Sequence, residues 1–82
     1  MTEATARTLT NAEVGDLIGC THSMASRLRV GKRLPGLDTM RNISERLGVP
    51  WTDILNARDA GPDEFGALLR GALARYSAAQ RL

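Results

Sequence analysis

The sequence predicts an all-α fold, and three observations carry that expectation. Apolar residues recur at the i, i+3, i+4 spacing of a buried helical face. Residues that start and stop helices bracket those stripes. No stretch alternates apolar and polar residues convincingly enough to be a half-buried strand.

Five helical segments follow in order. Thr10-Asn11-Ala12-Glu13 is a capping box, in which the Thr hydroxyl accepts from the amide three residues on and Glu13 reaches back. Val14, Leu17 and Ile18 then form one apolar face, and Gly19 stands where a left-handed C-terminal cap belongs. Thr21 is the next N-cap, opening a helix that runs to about Val30 and ends at Gly31. Only about three residues separate these two helices, so they turn sharply against each other. A loop of turn formers, Gly31 to Gly36, leads to a third stripe of Leu37, Met40, Ile43 and Leu47, stopped by Gly48. Pro50 precedes a short helix carrying Trp51, Ile54 and Leu55, with Trp51 expected to be half-buried, and residues 56–62 (NARDAGP) read as a linker or frayed helix end. Pro62, Asp63 and Glu64 suit a helix start, because Pro fits the first turn and acids complement the dipole. Phe65, Leu68, Leu69, Ala72, Leu73, Tyr76 and Ala79 continue at helical spacing, although Gly66 and Gly71 weaken that helix by ~1 kcal/mol each relative to Ala. The expected organisation is therefore a helix-turn-helix domain over residues 1–58 and a C-terminal helix over 59–82, which either dimerises or packs on the domain.

Size and composition exclude several classes. The chain has 82 residues, and a domain this small buries only ~60–65% of the surface its unfolded chain exposes. Cys20 is the only cysteine, so an internally disulfide-stapled fold is out, and its apolar surroundings suit a small buried residue. His22 is the only histidine, and no acid/base pair, metal cluster or phosphate loop can be assembled; no enzyme activity, cofactor, metal or small-molecule ligand is expected. No run of 18 apolar residues is present and the N-terminus has no apolar signal segment, so the expectation is a cytoplasmic protein.

The net charge of +2 is a poor argument for nucleic acid, but its distribution is a better one. Between Asp16 and Asp38 there is no acidic residue, while Arg27, Arg29, Lys32 and Arg33 give that stretch +4 and leave −2 for the rest of the chain. Phosphate attraction depends on such local potential. At 100° per residue, Ala25 and Leu28 face inward from the second helix, while His22, Ser23, Ser26, Arg27 and Val30 share the outward arc. Gly15 sits where the second helix crosses the first, and its lack of a side chain lets the backbones approach.

Three motifs, L-T-x-x-E-V-x-x-L-I-G from Leu9, S-R-L-x-x-G-K-R-x-P-x-L-x-T from Ser26 and L-G-V-P-W-x-D-I-L from Leu47, are spread over residues 9–55. Over that span the chain resembles the Cro/repressor-type helix-turn-helix proteins, the XRE family. The resemblance implies a lambda-repressor-like helix bundle that binds double-stranded DNA. It places His22, Ser23 and Arg27 at positions that read base edges in the major groove, and Arg27 suits bidentate donation to guanine O6 and N7. It also places Asn11, at the first turn of the scanning helix, Thr21, at the recognition-helix cap, and Lys32 and Arg33, in the following loop, on phosphates or sugars. Ser26, on the exposed arc, and Arg29, at its edge, complete the expected backbone contacts, with plain solvation the alternative for Arg29.

Two departures from the family pattern bear on the fold. Only nine residues precede Thr10, so the helix normally found there is shortened to about one turn over residues 3–8, or is missing. The core edge it would cover is left to the C-terminal segment or to another chain. Phe65, Leu68, Leu69, Ala72, Leu73 and Tyr76 are accordingly expected at a homodimer interface. The reading that results is a transcriptional repressor on a palindromic operator, of the size of a phage or mobile-element immunity repressor or Cro-like protein. The rival readings are an excisionase or MerR-like module, which needs a β wing after Pro35, and an antitoxin or protein-interaction module using residues 63–82. On the third long helix, Arg41 and Arg46 read as helical ion-pairing residues, Arg41 with Glu45 at i, i+4.

Overall fold

The computed structural model describes residues 8–80, and its elements are five α-helices: α1 Asn11–Ile18, α2 His22–Arg29, α3 Leu37–Leu47, α4 Trp51–Ala60 and α5 Pro62–Ala79. Among the described residues there is no strand. The residues after Pro35 enter α3 rather than a β wing, which removes the structural requirement of the MerR-like reading.

α1 and α2 have eight residues each, about 12 Å long at 1.5 Å per residue, and helices this short do not persist in isolation. Local capping and packing hold them. The expected capping box is formed: Glu13 N–H donates to Thr10 Oγ1 at 3.1 Å and Thr10 N–H donates to Glu13 Oε1 at 2.8 Å. Gly19 ends α1 in the left-handed region at φ 77°, a conformation that disfavours any residue with a Cβ. Gly15 allows the crossing, since a Cβ there would stand 2.6 Å from the Cys20 carbonyl oxygen.

One hydrophobic core draws on every helix. Val14 and Ile18 of α1, Ala25 and Leu28 of α2, Met40 and Ile43 of α3, Val49, Ile54 of α4, and Phe65, Leu69, Ala72 and Leu73 of α5 are all buried in it. Each large side chain among them contributes roughly 1.5–3 kcal/mol by leaving water.

The C-terminal half differs from the sequence reading in three ways. First, residues 56–60 are not a linker: α4 continues to Ala60, and Gly61, at φ 122°, is the sole residue between it and α5. The sequence suggested a break because Ala60-Gly61-Pro62 looks like a loop, whereas Pro62 is the first residue of the next helix. Second, of the two alternatives left open for the C-terminal segment, α5 is found packed on the rest of the chain, against α4, α2 and α3. Phe65, Leu69, Ala72 and Leu73, expected at a dimer interface, are buried by this packing within a single chain; Leu68 and Tyr76 are half-buried. Third, Trp51 is exposed at 38% rather than half-buried, because it stands at the first position of α4, outside the core. Of the short N-terminal turn expected over residues 3–8, all but Thr8 lies outside the described residues, and Thr8 is not helical.

Candidate nucleic-acid interface

α2 is presented outward by the turn that precedes it. Thr21 adopts the extended N-cap conformation and its Oγ1 accepts from Met24 N–H at 3.1 Å. The hydroxyl proton remains available to an outside acceptor. Ala25 and Leu28 anchor the inner face in the core, which turns His22, Ser23 and Arg27 to solvent and leaves Ser26 half-buried. These four residues line one open groove together with Asn11, brought alongside from the first position of α1. The first amides of both helices also lack intrahelical acceptors, as at any helix start, so the groove edge is rich in donors.

The loop after α2 is tied back to it. Lys32 N–H donates to the Arg27 carbonyl at 2.9 Å and Gly31 N–H to the Leu28 carbonyl at 3.3 Å, while the Lys32 and Arg33 side chains are exposed. The +4 stretch thus ends on a loop of defined course. Behind it, α5 approaches so closely that a Cβ on Gly66 would stand 2.9 Å from Gly31 Cα. The sequence marked Gly66 only as a weak point in a helix.

Arg29 is engaged within the chain. Instead of extending toward solvent, its Nη1 donates to the Leu9 carbonyl at 2.9 Å and to Asn11 Oδ1 at 3.0 Å, joining the end of α2 to the start of α1. The Arg29 carbonyl in turn accepts from Arg70 Nη1 of α5. The half-buried guanidinium thus meets two oxygen acceptors of its own chain, which a helical arc by itself does not reveal.

Supporting residues that the sequence reading missed lie on α3. Arg46 Nη1 donates to the Leu17 and Asp16 carbonyls at 2.8 and 3.3 Å, and Asn42 Nδ2 donates to the Ile18 carbonyl at 3.2 Å. Together they satisfy carbonyls at the end of α1, which have no intrahelical donors. Arg46 therefore caps another helix, where the sequence suggested ion pairing within its own. No local signal marks such partners, which are 24 to 30 residues away in sequence.

Cys20 is half-buried in the turn, and burial raises its thiol above the ordinary cysteine range, which keeps it a thiol rather than a nucleophilic thiolate. Among the described residues no three His, Cys, Asp or Glu side chains stand together as metal ligands. Among them also, no helix is long and apolar enough to cross a membrane.

The arrangement defines an all-α helix-turn-helix domain whose second helix presents a polar, donor-rich face. Residues 4–54 match the family model described as helix-turn-helix, and the chain belongs to that family, the XRE-type helix-turn-helix proteins. The family is one of DNA-binding regulators and not an enzyme family. No match is found among curated proteins or among solved structures.

Proposed function

We propose that this protein is a sequence-specific transcriptional repressor that reads operator half-sites with α2. The observation that carries the proposal is the groove in which Asn11, His22, Ser23, Ser26 and Arg27 converge on one face, with Lys32 and Arg33 exposed on the loop that follows α2. In this reading α2 enters the major groove, with His22, Ser23 and Arg27 at base edges. Arg27 supplies the most discriminating contact, a fork of donors for guanine worth ~1–3 kcal/mol against the wrong base. Asn11, Thr21, Ser26, Lys32 and Arg33 hold the backbone and set the register without reading sequence.

The protein binds as a homodimer in this proposal, with half-sites about one helical turn, ~34 Å, apart, and it represses by occluding polymerase, as an immunity repressor or Cro-like protein of a phage or mobile element would. The dimer surface cannot use the buried Phe65, Leu69, Ala72 and Leu73 without opening the core. What supports a surface for a second copy is the open groove between α4 and α5, where Ala57, Ala60, Ala67 and Leu68 provide apolar wall.

Selection of bound sequences from random duplex DNA tests the reading. A palindromic consensus with half-sites one turn apart is expected, and affinity for it should fall by several log units per log unit of salt. No enrichment, or an affinity indifferent to salt, would overturn the DNA-reading proposal. A consensus lacking symmetry, bound by a monomer in sedimentation, would overturn the homodimer and leave the reading head.

A further inference from the structure

Arg29 belongs to the recognition helix, yet its guanidinium is directed to the N-terminal edge of α1, where Nη1 bridges the Leu9 carbonyl and Asn11 Oδ1. Asn11 lines the same groove as His22, Ser23, Ser26 and Arg27. Resting on the DNA-binding reading above, we infer that Arg29 is a positioning residue: it orients the Asn11 amide as a phosphate donor and does not itself contact DNA.

The chemistry follows from the two ends of an asparagine side chain. One end accepts and the other donates, and a phosphate oxygen only accepts. An untethered amide presents either end as its terminal torsion turns, because that torsion is broad and roughly two-fold. Arg29 has donors only, so contact with it selects the Asn11 oxygen and directs the NH2 group away from the guanidinium. Asn11 is also the first residue of α1, a helix start whose first amides have no intrahelical acceptor. An anion there meets a preset cluster of donors, and preset geometry lowers the ordering cost of binding.

Arg29 is itself held. It is half-buried, and its carbonyl accepts from Arg70 Nη1. The path runs from α5 through the end of α2 to the start of α1, across 41 and then 18 residues of sequence. The C-terminal helix thereby supports a group on the DNA-facing edge that it does not touch.

A double-mutant cycle on the full chain tests this, with the selected operator duplex as probe and fluorescence anisotropy as readout. Asn11→Ala and Arg29→Gln should each weaken binding by about the same factor, on the order of tenfold for one hydrogen bond to a charged phosphate. The double variant should be no weaker than either single variant. Losses that multiply, or an Arg29→Gln variant that is folded by circular dichroism and binds like the wild type, would overturn the positioning role. A measurement on the wild type keeps the inference testable if Arg29→Gln does not fold. The Asn11 side-chain amide should show an NMR order parameter near that of rigid backbone, about 0.85, and a value below about 0.6 in the free protein would overturn it. If the wild type binds no duplex at all, the functional reading fails. If it binds and the two losses are independent, only the role of Arg29 fails.

Discussion

Gly66 of α5 lies against Gly31 at the end of the recognition helix, so close that a Cβ on Gly66 would meet Gly31 Cα and N at 2.9 Å and the Leu28 carbonyl oxygen at 3.1 Å. All three are backbone atoms, which cannot swing aside as a side-chain tip can. The contact fixes where the basic loop leaves the domain.

Two glycines in α5 should therefore respond oppositely to alanine. Gly71→Ala meets only the Arg75 Nη1 tip at 3.5 Å, so it should gain up to about 1 kcal/mol from helix propensity. That gain raises Tm by roughly 4–8 °C in a domain of this size. Gly66→Ala gains the same propensity but forces the backbones apart, and overpacking costs about 1–3 kcal/mol. Thermal unfolding of the two variants side by side should show Gly71→Ala above wild type and Gly66→Ala at or below it. A Gly66→Ala variant stabilised as much as Gly71→Ala would show that the approach is slack.

Base reading and phosphate gripping should separate cleanly. Arg27→Ala should relax preference at one base pair by about 1–3 kcal/mol. Lys32→Ala and Arg33→Ala should weaken binding evenly across sequences, each lowering the salt slope by about 0.9. Titrations of operator and single-base variants at several salt concentrations measure both. An even loss from Arg27→Ala would reassign that residue to the backbone.

Phe65→Ala should cost about 3–5 kcal/mol, because the side chain is fully buried and leaves a cavity among α5's partners. A chain ending at residue 60 should fail to fold for the same reason, having lost Phe65, Leu69, Ala72 and Leu73 from the core. Far-UV circular dichroism reads both. A folded 1–60 fragment would show that the helix-turn-helix segment is a domain by itself.

Arg46→Ala should lower stability by about 0.5–1.5 kcal/mol, the net contribution of an ordinary hydrogen bond, by uncapping the α1 carbonyls of Leu17 and Asp16. It should leave base preference unchanged, since Arg46 is not among the groove residues. Denaturant unfolding and the operator-variant panel together check it, and a selective change at one base pair would place Arg46 at the DNA.

The helix-turn-helix was legible in the chain because its signals are local. Thr10 and Glu13 are three residues apart, Thr21 caps an amide three residues on, and Gly19 takes the left-handed conformation its position after Ile18 implies. The period that buries Ala25 and Leu28 also turns His22, Ser23 and Arg27 outward. These are interactions within one or two helical turns, and residue order alone determines them. The partners of the α5 stripe were not local. A stripe of Phe65, Leu69, Ala72 and Leu73 shows that a face must be buried but not against what, and the tertiary structure set it against the domain's own α2, α3 and α4. Long polar side chains were undetermined for the same reason. Arg29 and Arg46 looked alike as helix-face charges, yet each ends on oxygens 18 or more residues away. A flexible guanidinium goes to whichever acceptors the packing leaves within reach, and only the folded chain establishes which those are.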